Sequence, residues 1–421
     1  MSGRAEHGIL SRLVAREKFH DSGKTDFQGI AAIRDAGLRH FNGSDNFPIT
    51  RMRGELKHRW SVGNNYLAGI TTGDWFRLLR ANRFAVDPAY WHRAAFITLA
   101  SAMNSYFRKK EGRQFHESIA ATKIQPPVFI LGHWRSGTTH LHNLLARDPQ
   151  FAFANTYQVV NPHTFLTTEA SHTQRFAWIL PKTRPMDGMA LNFRTPQEDE
   201  FAPCLMSLRS LYLGISFPRN EDRYARYLTF DTVPQAEIDE WKSALLWFLK
   251  KLTLKYERPL ILKSPPHTAR IRLLLEMFPG ARFVHIHRDP YQVFQSCRHY
   301  YDTATWFSYL QRPDRKMIDD QIIARYTRLH DAFFAQRDLI PAGQFHEMSF
   351  DALERSPLES IRHLYENLGI TGFEAFQPEL KRYVDSLSSY RKNRFPELET
   401  TMRARIADEW KRSFTAWNYP P

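Results

Sequence analysis

The chain has 421 residues, 43% of them hydrophobic, which suits a large α/β domain with a substantial addition and excludes a collagen, a wholly disordered chain or a disulfide-stapled miniprotein. Lysine and arginine number 58 against 44 acids, a formal charge of +14 that favours anionic ligands or surfaces without choosing among nucleotide, nucleic acid and membrane. Two cysteines, Cys204 and Cys297, make no disulfide scaffold and suit a reducing cytosol, and no run of eighteen apolar residues is available to span a bilayer.

The first twenty residues are charged throughout and lack the apolar stretch and small-residue cleavage site of a secretory signal, so a cytoplasmic location is expected. Residues 1–120 read as a mainly helical N-terminal extension or substrate cap. Trp75–Arg80 and Tyr90–Phe107 have helical patterns, and Gly63, Gly69 and Gly73 mark turns before the second. That second helix is expected to end in Arg108-Lys109-Lys110. A cationic cluster there suits the negative end of a helix dipole; a helix packed on its own protein is the preferred reading, with peripheral contact with lipid the alternative.

The pattern changes at Gln125-Pro126-Pro127. Val128-Phe129-Ile130-Leu131 is a short apolar run of the kind buried in parallel sheets, followed by a glycine-containing loop and an amphipathic helix with Leu141, Leu144 and Leu145 on one face. Residues 121–421 thus read as an α/β domain, with an inserted, aromatic-rich region near 150–255 that shapes a substrate cavity. The clearest helix of that region runs from Ala236 to about Lys255. Pro259-Leu260-Ile261-Leu262 is the next strand, Lys263-Ser264-Pro265-Pro266-His267 turns the chain, and Phe283-Val284-His285-Ile286 is a further strand. Asp289 then caps a helix that Pro290 begins. Strands alternating with helices predict a P-loop-like, three-layer α/β fold with a mostly parallel central sheet and additional helices.

Gly132-x-x-x-x-Gly137-Thr138-Thr139 has the glycine spacing of a phosphate loop but lacks the lysine that follows the second glycine in nucleotide-hydrolysing enzymes. Its backbone amides can still cradle an anion at a helix start, with Arg135 and the two threonines adding charge and donors. The missing lysine argues against a kinase or ATPase, as does the lack of a Mg²⁺ carboxylate after an apolar strand, and favours metal-independent transfer from a nucleotide-like donor. A basic track or an aromatic stacking platform for nucleic acid is not evident.

Trp134-Arg135-Ser136-Gly137-Thr138-Thr139 resembles the 5′-phosphosulfate loop of sulfotransferases that use 3′-phosphoadenosine 5′-phosphosulfate (PAPS). The order Lys263, then Phe283 to Pro290, then Ser296, and Ser389-Tyr390-Arg391-Lys392-Asn393 near the end, resembles that family too. The likeness spans roughly residues 126–395. It implies transfer of a sulfuryl group from PAPS to a hydroxyl or amine acceptor, in line with the departing phosphate oxygen, releasing adenosine 3′,5′-bisphosphate and requiring no metal. Arg135, Ser136, Gly137, Thr138 and Thr139 are then expected at the 5′-phosphosulfate, Arg288 and Ser296 at the 3′-phosphate, and Arg391 and Lys392 in a terminal segment closing over it. Asn393 stands where the family has glycine. Two rival classes remain: a Mg-ATP-dependent P-loop phosphotransferase and a non-catalytic nucleotide-binding protein.

Sulfuryl transfer needs a base for the acceptor proton and positive charge for the leaving oxygen. Lys263, after an apolar strand and before two prolines, is a candidate for the charge, alongside Arg135. One class of the family has a glutamate about twenty residues after the loop, but Asn155-Thr156-Tyr157 occupies that neighbourhood. Glu198, within Gln197-Glu198-Asp199-Glu200, is the leading candidate base, on the reasoning that adjacent carboxylates raise one another's pKa. Glu200 and His267 are the alternatives, and helix capping is the competing role for the acids. The acceptor is expected to be a small or lipid-like hydroxylated molecule, held by aromatics drawn from Trp75, Phe76, Trp91, Tyr157, Phe165, Trp178 and Phe193.

Overall fold

In the computed structural model of the chain, the described residues are 56–175, 183–189, 191–388 and 392–421. The charged start, Trp178 and Arg391 lie outside them. Five strands, β1 (Val128–Leu131), β2 (Ala152–Phe153), β3 (Leu260–Lys263), β4 (Arg282–His287) and β5 (Phe345–Ser349), form one sheet in the order β2-β3-β1-β4-β5. All four pairings are parallel. β1 and β3 are buried along their whole length, the burial a parallel sheet covered on both faces imposes.

Side chains alternate between two cores, as a pleated strand requires. Phe129, Leu131, Leu262 and Phe283 join one cluster, and Val128, Ile130, Ile261 and Val284 the other. The first cluster also takes in Leu67, Trp75, Leu78 and Ile97, so the helical segment before the sheet shares its core.

That segment contains helix α1 (Thr72–Ala81), capped by Thr71, and the long helix α2 (Trp91–Ala121). α2 does not end near Phe107 as its sequence suggests. It continues because Glu111 is buried on its inner face, in an ion pair of 2.5 Å with the buried Lys251, and accepts the Leu166 N–H at 2.8 Å. Arg108-Lys109-Lys110 therefore lies within the helix rather than at its negative end. Gly73 is likewise inside α1 and not in a turn.

Beyond the sheet strands run α3 (Thr138–Leu145), α4 (Gln235–Tyr256), α5 (Ile271–Met277), α6 (Pro290–Thr303), α7 (Ile318–Gln336) and α8 (Phe350–Arg355). α6 begins as read from the sequence, with Asp289 accepting the Gln292 N–H at 3.0 Å and Pro290 in the first turn. Cys204 and Cys297 are both buried free thiols.

Candidate active site

The loop between β1 and α3 is shaped by its two glycines. Gly137 has φ +103°, and a Cβ there would lie 2.2 Å from the Phe350 ring at the start of α8. Gly132, at φ +143°, would carry a Cβ 2.5 Å from the Ile286 carbonyl oxygen. Only glycine lets the loop pass this close to β4 and α8. Thr268 Oγ1 accepts the Gly132 N–H at 2.7 Å, and Ser136 Oγ donates to the His133 carbonyl at 2.8 Å. Ser136 thus holds the loop from within.

A cavity of ≈ 590 Å³ opens at the start of α3, along the carboxyl edge of the sheet. Gly137, Thr138, Thr139, Arg135, Arg288 and Ser296, all assigned from sequence, meet on its wall. Arg135 Nε donates to Ser296 Oγ at 2.9 Å, and Arg288 reaches the Arg135 carbonyl at 3.3 Å. Arg288 is pushed below its ordinary pKa by burial and by the neighbouring Arg135 charge, the expected response of a cation short of a counter-anion. Lys392 lines the same cavity, paired with Glu354 at 2.5 Å, and Asn393 donates to the Met186 carbonyl at 2.8 Å. Arg147 is a lining cation that the sequence reading missed; it stacks on Tyr383 at 4.2 Å. Asp187, also missed, accepts from Arg135 at 3.0 Å. Four Lys or Arg side chains against two acids line a space of nucleotide size, so the wall fits a polyanion such as PAPS.

Beside this wall the three consecutive acids separate. Glu198 accepts from Lys263 Nζ at 2.9 Å and from the Tyr212 hydroxyl. Asp199 Oδ2 lies 2.6 Å from His267 Nε2, and Ser264 Oγ donates to its other oxygen at 3.2 Å. Glu200 takes both terminal nitrogens of Arg270 at 2.7 and 3.1 Å, with bonds from Ser210 and Trp241. Each of the three carboxylates thus has its own basic partner, and none bonds to another. Burial alone would raise Asp199, but its pairing with His267 and Ser264 holds it below the ordinary carboxylate value.

The three acids also differ in access. Asp199, Glu200, His267 and Arg270 have no exposed surface, whereas the Glu198 side chain is 15% exposed. Lys263 is buried, and burial lowers its pKa. Its Nζ lies 3.5 Å from Thr139 Oγ1, linking the Lys263–Glu198 pair to the first turn of α3. Tyr212 also borders a second, small cavity of ≈ 30 Å³ with Trp134, Leu211, Cys297, Tyr300 and Tyr301. Tyr300 and Tyr212 are both raised above the ordinary phenol value, first by burial and then by the Glu198 charge, and it is the Tyr212 hydroxyl that bonds to Glu198. The aromatics singled out in the sequence, Trp75, Tyr157 and Phe165, are core residues instead. No local signal in the chain marks Tyr212, because its role comes from a contact fourteen residues away.

A cationic, nucleotide-sized cavity at the carboxyl edge of a parallel sheet, with a carboxylate–ammonium pair beside the loop, defines a transferase of an anionic group. The sequence profile of the sulfotransferase family matches residues 126–375, and the chain belongs to that family. It is 36% identical over 374 residues to the omega-hydroxy-beta-dihydromenaquinone-9 sulfotransferases Stf3 of Mycobacterium bovis and Mycobacterium tuberculosis, covering 88% of this chain and 94% of each relative. Among solved structures it is similar to sulfotransferase STF9 of Mycobacterium avium, with a TM-score of 0.62 at 19% identity over 82% of this chain and 92% of that one. STF1 of Mycobacterium tuberculosis gives a TM-score of 0.58 at 19% identity over 84% and 94%. Those two likenesses bear on the fold, and the profile and the Stf3 relatives make the chain a sulfotransferase enzyme.

Proposed function

We propose that this sulfotransferase uses PAPS as donor and sulfates the hydroxyl of a lipid-like acceptor. The observation that carries the reading is the Lys263–Glu198 pair, 2.9 Å apart and linked to the loop through Thr139. PAPS supplies the sulfuryl group, and adenosine 3′,5′-bisphosphate is the product released.

Glu198 takes the proton of the acceptor hydroxyl as its oxygen bonds to sulfur. Lys263 supplies positive charge where the bond from sulfur to the phosphate oxygen breaks. Arg135, Thr138, Thr139 and the loop amides hold the 5′ end of the donor; Arg288 and Ser296 hold the 3′-phosphate, with Lys392 beside them. Ser136 contributes by fixing the loop. Glu198 is preferred over its rivals on access, since Glu200 is saturated by Arg270 and His267 is buried on Asp199. Both are read as structural groups of the buried network behind it. The lipid-like acceptor is supported by the substrate in the name of the 36% identical relatives and by Tyr212, which bonds to Glu198 and borders a small aromatic-lined cavity. Of the addition read at residues 1–120, the described part from residue 56 onward is read as capping the acceptor side; residues 1–55 lie outside the described residues.

Calorimetric titration with adenosine 3′,5′-bisphosphate tests the donor site, and selective Mg²⁺-dependent ATP binding would overturn it. Initial rates with PAPS then compare a hydroxylated prenylquinone with a short phenol and a monosaccharide. Faster turnover of the prenylquinone is expected, and turnover confined to the monosaccharide would overturn the acceptor assignment.

A further inference from the structure

Among the described residues, helices α1 and α2 leave a large apolar face without a partner. On α2, Trp91 is 63% exposed, Leu99 75% and Tyr106 66%, with Met103 beside them. Spacings of eight and seven residues put Trp91, Leu99 and Tyr106 on one side of a helix, and the exposed Ala95 and Ala102 fall on the same stripe. Soluble proteins scatter such residues singly; a contiguous row on one helix marks an interaction surface.

α1 adds to this face. The Thr72 N–H donates to Ser105 Oγ at 2.9 Å and Trp75 Nε1 to Thr98 Oγ1 at 2.9 Å, which lays α1 antiparallel along α2. Counted round each helix from these contacts, the exposed residues of α1 and of α2 fall on the same side of the pair. Phe76 on α1 therefore continues the patch.

Charge identifies the occupant. Arg77, Arg80, Arg83, Arg108, Lys109 and Lys110 are all exposed around this face. Between residues 72 and 110 the only acids are Asp74 and Asp87. Asp74 is buried and paired with Arg77 of the rim, and Asp87 is bound to Arg219 at 2.7 Å, so neither acid of this stretch is without a cation. A second copy docked by two-fold symmetry would set this cationic rim against itself. Nucleic acid would satisfy the rim but not the Trp, Leu and Phe centre. Aromatic and aliphatic side chains flanked by long cations fit the boundary between anionic headgroups and acyl chains, where the charged heads stay in water and the stems lie on hydrocarbon. Among the described residues no helix is long and apolar enough to cross a membrane, which leaves attachment at the surface.

We infer that the outer face of α1 and α2 docks the protein on an anionic lipid bilayer. The experiment is flotation of the full chain with vesicles of phosphatidylglycerol and phosphatidylcholine, compared with phosphatidylcholine alone. It uses neither donor nor acceptor, so it stands or falls separately from the reaction proposed above. Binding is expected only with the anionic lipid and is expected to weaken with salt. Trp91→Glu with Leu99→Glu should lower partitioning about tenfold or more. Both positions are already exposed, so an unchanged melting temperature is expected for that variant. Leu339→Glu, at another exposed apolar site, should float like the unaltered protein. The inference is overturned if the unaltered protein does not float, if the two glutamates leave flotation unchanged, or if Leu339→Glu impairs it equally. A lipid-free dimer abolished by the same glutamates would assign the face to a second copy and also overturn it.

Discussion

Glu198 and Glu200 are two residues apart and carry the same carboxylate, yet replacing each by glutamine should damage different properties. Glu200 and Arg270 have no exposed surface and meet through two hydrogen bonds. Glu200→Gln keeps the shape but leaves a buried guanidinium without its counter-charge, at a cost of about 3–5 kcal/mol. The unit spans Leu56–Pro421; at an unfolding entropy of about 2.1 cal/mol/K per residue, that cost lowers the melting temperature by roughly 4–7 °C. Turnover measured well below that melting point should be little changed. Glu198→Gln alters a partly exposed group whose partner Lys263 can shed its proton, so its melting temperature should fall by less. If Glu198 is the base, kcat falls about 10²–10⁴-fold. Calorimetric scanning and initial rates with PAPS and a hydroxylated acceptor read both quantities. The reasoning is refuted if Glu198→Gln keeps more than a tenth of the rate, or if Glu200→Gln loses turnover at an unchanged melting temperature.

Arg288→Ala should weaken adenosine 3′,5′-bisphosphate binding about 10–100-fold, the worth of a charge-assisted hydrogen-bonding cation, with little change in melting temperature; an unaltered Kd by calorimetry would remove Arg288 from the donor site. Lys263→Met should lower kcat at least tenfold while leaving bisphosphate binding near its original value, and equal losses in kcat and affinity would show that Lys263 serves binding. Gly137→Ala should destabilise the protein by about 1–3 kcal/mol, because the added Cβ meets the Phe350 ring in a backbone conformation that side chains rarely adopt. An unchanged melting temperature would contradict the close approach. Burial holds His133 and His142 down to about 3, and burial with the nearby His285 holds His287 down to about 4, against about 6.5 in an unfolded chain. The unfolded chain therefore binds more protons as pH falls below about 6.5, and stability present above that value is lost on the way down. A melting temperature lower at pH 5 than at pH 7 is expected, and a flat profile would refute it.

The sheet and the donor loop were legible because their signals are local. A four-residue apolar run, two glycines five apart and the Asp289-Pro290 helix start depend on neighbours in the chain, and β1, α3, β4 and α6 formed where those signals stand. Arg288 and Ser296 were legible for a related reason: a strand end and the second turn of the next helix have fixed places at the edge of an open sheet. What escaped depends on distance. The extension of α2 past Phe107 rests on Lys251, 140 positions after Glu111 in the chain. Separate partners for Glu198, Asp199 and Glu200 come from residues 263, 267 and 270, on the other side of the inserted region. A run of acids is ambiguous until those partners are known. Tyr212 and Arg147 carry no motif at all.

The absent loop lysine has a structural answer in the strand order. β1 lies between β3 and β4, and Ile130 is in register with Lys263 on one side while Leu131 is in register with His285 on the other. Lys263 is the last residue of β3, and Arg288 follows the last residue of β4. Both flanking strands thus deliver a cation to the mouth of the loop that β1 feeds. A loop lysine moves with its loop, whereas these two are fixed by hydrogen-bonded ladders. One reaches Glu198 and Thr139, and the other reaches the Arg135 carbonyl. In the proposed reaction, charge for the leaving oxygen and charge for the far phosphate are therefore held on opposite sides of one loop by the sheet. Glu198, on the inserted region, meets only the first of them. This separation gives the physical reason to expect that substitutions on the β3 side act on turnover and those on the β4 side on affinity.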